Sequence, residues 1–147
     1  MSMLVGLFSP SSGTAYLDGK DIRTEINEAR KSVGICPQHD VFFPDLTVTA
    51  HLDFYCTLKG MTDEKTIDQE VTHYTNLLGI SEKIDALSGA LSGGMKRRLS
   101  IAIALCGGTK IVILDEPTSG MDPGARRELW NLLIAEKQAR TILLSTH

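Results

Sequence analysis

At 147 residues, with 42% hydrophobic and 22% charged residues and a net charge of −3, the chain has the make-up of one ordinary globular domain. This mildly acidic balance recommends neither nucleic acid nor an anionic membrane surface as a direct partner. No apolar run approaches the ~20 residues a membrane span needs, and Met3-Leu4-Val5 is too short for the apolar region of a signal peptide.

Met1 to Phe8 reads as the last turns of an apolar-faced helix, closed by Ser9-Pro10-Ser11-Ser12-Gly13. It has no cap at residue 1, so the element is expected to begin upstream. Thr14 to Leu17 forms a strand running into the tight turn Asp18-Gly19. A short helix around Glu25 to Arg30 precedes a brief strand, Val33 to Cys36, halted by Pro37.

The middle is expected to be helical. Thr47 is placed to cap a helix with apolar Val48, Leu52, Tyr55 and Leu58, ended by Gly60. Thr62 is expected to cap the next, in which Ile67, Val71, Tyr74 and Leu78 recur at helical spacing before Gly79. A third helix follows Gly93-Gly94, with Leu99, Ala102, Ile103 and Cys106 on its apolar side.

After Gly107-Gly108 the pattern returns to α/β. Ile111 to Leu114 is a continuous apolar run, as a parallel strand buried on both faces requires. Asp122-Pro123 is an N-cap followed by proline at the first helical position, and that helix turns Leu129, Leu132 and Leu133 inward. Thr141 to Ser145 reads as another buried strand, with His147 at its carboxyl edge. Cys36, Cys56 and Cys106 are odd in number and far apart, and the four histidines are equally scattered. Small buried thiols in a reducing compartment fit better than disulfides or a zinc site.

Two segments carry chemistry. In Ile111 to Pro117, an apolar strand ends in two adjacent carboxylates, Asp115 and Glu116. Ligands of open α/β sheets bind at that edge. The first carboxylate suits Mg²⁺ and the second a water-activating base. The same residues also fit a buried strand whose end carries two surface acids. In Leu91 to Arg98, Gly93 and Gly94 open a helix after Ser92, so backbone N–H groups can approach an anion closely. A Ser-Gly-Gly alone is often no more than a turn, and Lys96-Arg97-Arg98 fits a solvated helix face as well as a phosphate contact.

Taken in order, these segments resemble the ABC ATPases over the whole chain. Leu91 to Met95 is similar to the signature loop, Ile111 to Asp115 to Walker B, and Glu116 to the catalytic glutamate. Ser119 to Asp122 resembles the D-loop, His147 the switch histidine and Gln38 the Q-loop glutamine. Met95, Gly120-Met121 and Cys106-Gly107-Gly108 further resemble the A subfamily, exporters of lipids and sterols.

The resemblance implies an α/β fold of the P-loop NTPase (RecA-like) type. Its core would comprise 1–43 and 107–147, with a helical subdomain over 44–106. It implies ATP and Mg²⁺ as cofactors. Asp115 and Gln38 would serve the metal, Glu116 would polarise the attacking water and His147 would contact the γ-phosphate. Ser92, Gly93, Gly94 and Asp122 would meet nucleotide between this cassette and a second nucleotide-binding domain packed head to tail. Transmembrane domains would complete the partners, placing the chain at the cytosolic face of a membrane. One departure stands out: no G-x-x-x-x-G-K-[ST] occurs, since none of Gly6, Gly13 and Gly19 is followed by Lys-Ser or Lys-Thr in that pattern. The P-loop is therefore expected upstream of Met1 and a further segment after His147. Two other readings stay open, a soluble ABC ATPase without membrane spans and a non-catalytic cassette that only presents its signature loop.

Overall fold

The computed structural model describes residues 2–39 and 41–145. The apolar start closes as a helix end should. Leu7 donates its N–H to Ser2 O at 2.9 Å and Gly6 to Met3 O at 3.1 Å, with Gly6 at φ 73°. That pair of bonds around a left-handed glycine is the Schellman arrangement. Arg30 ties the turn down, donating from Nε to Val5 O and from Nη2 to Gly6 O. The expected tight turn follows. Strands β1 (Tyr16–Leu17) and β2 (Lys20–Asp21) pair antiparallel, and Asp18 and Gly19 both take positive φ, as a type I′ hairpin demands.

Helix α1 (Ile26–Lys31) leads into strand β3 (Val33–Cys36). Helix α2 (Val48–Leu58) begins where Thr47 predicts, its Oγ accepting from Ala50 N at 3.1 Å. Replacing Thr47 by alanine is expected to lower unfolding free energy by about 1 kcal/mol, read from a denaturant titration. Buried His51 is satisfied at both nitrogens. Nε2 accepts from Phe43 N at 3.1 Å, which assigns the proton to Nδ1, 2.8 Å from Thr47 O. Helix α3 (Glu64–Leu77) is capped by Asp63, whose Oδ2 accepts from Thr66 N at 2.9 Å, and not by Thr62. The two neighbours share capping chemistry, and the chain turns helical one residue later than the threonine implies. Ile67, Val71, Tyr74 and Leu78 are all buried, as their spacing predicts.

Two 3-10 turns, Ser81–Lys83 and Ser88–Ala90, lead to helix α4 (Gly93–Leu105). The sequence suggests one apolar side, but every residue from Leu99 to Leu105 is buried. The cause is its position between β3 and the helices α2 and α3. A Cβ at Gly34 of β3 would lie 1.7 Å from Ala104 O, so helix and strand meet backbone to backbone. Strand β4 (Ile111–Asp115), helix α5 (Pro123–Glu136) and strand β5 (Thr141–Ser145) complete the chain. The sheet is parallel in the order β3-β4-β5. One apolar cluster runs through Cys36, Leu52, Val71, Leu99, Val112 and Leu129, joining sheet and helices. Cys36, Cys56 and Cys106 are all buried thiols.

Strand β5 departs from expectation. Its apolar composition implies a buried strand, yet Leu143 is 42% exposed. Among the described residues β5 pairs with β4 alone, so it has an edge strand's surroundings and its apolar run is only half covered.

Candidate functional site

Parallel pairing brings strand ends together at one edge. The β3–β4 ladder closes at Cys36 opposite Leu114, so Gln38 lies two residues past one strand and Asp115 ends the other. Strand β5 reaches the same edge, with Ser145 opposite Asp115, and the Ser145 hydroxyl donates to Asp115 Oδ1. Glu116 then turns the chain sharply at φ 47°, a left-handed conformation that costs a non-glycine residue about 1 kcal/mol. The turn is held on both sides. Glu116 N donates to Ser145 O at 3.1 Å, and Glu116 O accepts from Ser119 N at 3.0 Å. Gln38, Asp115 and Glu116 thus leave the sheet at the edge where ligands of such sheets bind.

Asp122 lies at the start of α5, fully exposed. Its Oδ1 accepts from Ala125 N at 3.0 Å, and that bond holds its carboxyl below the usual carboxylate range. The sequence-based reading places it at a nucleotide; within this chain it is a helix cap. His147 lies outside the described residues.

At the start of α4, Ser92 is the N-cap, its Oγ accepting from Met95 N at 3.3 Å. Gly93 and Gly94 are exposed, and a Cβ on either would meet nothing within 4 Å. Neither has a left-handed φ. Nothing inside the chain therefore requires glycine at these positions, and they lie at a helix N-terminus, where an anion is favoured.

Arg97 overturns one reading. One turn into α4, in a run of three cations that fits a solvated face, its side chain is instead turned inward and the residue is 4% exposed. The guanidinium donates to Pro37 O at 2.5 Å and, more weakly, to Gln38 O at 3.5 Å from Nη1. Nη2 reaches Asp115 O at 2.5 Å and Glu116 O at 2.8 Å, and Nε reaches Pro117 O at 3.2 Å. Sequence reasoning missed this hub because its acceptors are backbone carbonyls 18 to 60 positions away. Arg98 is half-buried, bridging Leu78 O at 2.8 Å and Glu128 at 3.2 Å.

The donors at the edge are hard oxygens. A single carboxylate, Asp115, with the Gln38 amide suits Mg²⁺, which keeps several waters and takes few protein ligands. Among the described residues no three His, Cys, Asp or Glu side chains cluster as a self-sufficient metal cage. The phosphate-cradling loop is not in this sequence, so the edge fits the catalytic side of a nucleotide site but not its phosphate grip.

A family model described as ABC transporter matches residues 1–119. This chain belongs to the ABC transporter family. Over all 147 residues of this chain, rat phospholipid-transporting ATPase ABCA3 is 53% identical and human ATP-binding cassette sub-family A member 2 is 54% identical. An A-family ABC transporter of Dictyostelium discoideum, member 5, is 46% identical over the same span. The chain covers only 6 to 9% of the length of these relatives. Its ABC fold is matched by a solved ATP-binding subunit of an ABC transporter at TM-score 0.88 and 24% identity, over 99% of this chain and 61% of that one. The cassette accordingly has the α/β fold of the P-loop NTPases.

Proposed function

We propose that this chain forms part of an ATP-binding cassette that, in a complete transporter, binds and hydrolyses ATP to drive export of lipid across a membrane. The observation carrying the reading is the convergence of Gln38, Asp115 and Glu116 at one end of the parallel sheet, one side chain's reach from α4. Lipid is proposed as cargo because relatives about half identical to the chain are named phospholipid-transporting ATPases. Residues 1–43 and 107–147 would act as the ATPase core and 44–106 as the helical arm facing transmembrane domains. No helix among the described residues is long and apolar enough to cross a membrane, so those spans would lie elsewhere.

In this reading Asp115 and Gln38 would hold Mg²⁺, which would supply positive charge to offset that of the phosphates. Glu116 takes the proton of the attacking water, and His147 contacts the γ-phosphate. The open glycines support a further assignment. Ser92, Gly93 and Gly94, together with Asp122 at the start of α5, would meet the nucleotide of a second cassette packed head to tail.

The proposal is tested by ATP turnover and lipid export in full-length protein carrying Glu116→Gln. It also carries an expectation for the 147-residue chain by itself. Triphosphate affinity comes mostly from P-loop amides and lysine, absent from this sequence, and Asp115 and Glu116 repel the nucleotide until a cation bridges them. Calorimetric titration with MgATP should therefore give no saturable binding tighter than about 1 mM, equivalent to roughly 4 kcal/mol. Tighter binding would mean that the phosphate site lies elsewhere on the chain.

A further inference from the structure

Beyond Cys36 and Leu114 the β3–β4 ladder stops. Pro37 has no N–H to continue it, and the left-handed Glu116 swings the other strand away. The two exits, which carry Gln38 on one side and Asp115 with Glu116 on the other, need another tie. The Arg97 guanidinium lies between them. Its planar fork of five N–H groups meets carbonyl oxygens of Pro37, Gln38, Asp115, Glu116 and Pro117, in a residue only 4% exposed.

We propose that Arg97 is the positioning residue of this site: it replaces the missing ladder, holding the Gln38 exit and the Asp115–Glu116 exit in fixed register with each other and with α4. The inference rests on the reading of that edge as the reacting one. Its consequence is a mechanical link. Ser92–Gly94 opens the same helix, so anything docking at the α4 N-terminus is joined through one rigid side chain to the carboxylates. Lysine cannot substitute. It offers three donors on a flexible stem, and a misplacement near 1 Å at a reacting edge costs ~10²-fold in rate.

The test uses the full-length transporter, with Arg97→Lys and Arg97→Gln as variants and Glu116→Gln as reference. We expect either Arg97 variant to lower kcat by ~10²-fold while KM for ATP moves less than about twofold. Arg97→Lys combined with Glu116→Gln should be no slower than Glu116→Gln alone, because the residues act as one unit. Amide hydrogen exchange should accelerate in the segments 36–39 and 115–121, with the interiors of α4 and β4 still protected. Wild-type kcat in both Arg97 variants, additive losses in the double variant, or exchange accelerated throughout the domain would each overturn the proposal, the last by showing a general role in the core. If Glu116→Gln by itself leaves turnover intact, the reading of the site fails, while the exchange pattern still decides whether Arg97 ties the two exits.

Discussion

Full-length protein with Glu116→Gln is expected to bind MgATP as the parent does and to hydrolyse it ~10²–10⁴-fold more slowly. The change keeps side-chain size and leaves the backbone bonds of Glu116 to Ser145 and Ser119 in place, so the turn at φ 47° should persist. What disappears is a carboxylate able to take a proton from water at the sheet edge. Nucleotide affinity and phosphate release must be measured on the same preparation. Lost turnover with retained binding supports the general-base role. Loss of both would make Glu116 a binding residue, and undiminished hydrolysis would remove it from the chemistry.

The second large effect is structural. Gly34→Ala places a methyl group 1.7 Å from Ala104 O and 2.6 Å from its carbonyl carbon, both backbone atoms. No rotamer change relieves such a clash, so α4 must back away from β3 by more than ~1 Å, opening a core that is close-packed. We expect a loss of about 3 kcal/mol or more, a large share of the 5–15 kcal/mol typical of a domain. Gly93→Ala is the matched control: the added methyl meets nothing within 4 Å, and stability should stay within about 0.5 kcal/mol. Denaturant midpoints of the two variants side by side check the pair. Equal stability would mean that α4 does not seat on β3 as described.

Which features could be read beforehand follows from how far apart their causes lie. The start of α5 at Asp122-Pro123 and the cap at Thr47 are local chemistry, and the structure has them where the sequence puts them. Thr62 and Asp63 share capping chemistry, and sequence does not say which of the two neighbours adopts the extended backbone of a cap. Strand β5 has the apolar composition of β4, but composition does not say that, among the described residues, β4 has neighbours on two sides and β5 on one. At the site, Gln38, Asp115 and Glu116 could be placed at one edge of the sheet from sequence because each lies at or just past the end of an apolar strand. Arg97 could not, since a cation in a basic run signals solvent unless its carbonyl acceptors are known, and those are assembled only by the fold.

The empty space around Gly93 and Gly94 makes them a gauge. A methyl group added there meets nothing within this chain, so intolerance of alanine in the assembled transporter would register a neighbour. A graded series from glycine through alanine and serine to valine, scored by transport, would then act as a feeler blade. If a second cassette docks on the tip of α4 as proposed, the size at which function fails would report the clearance there.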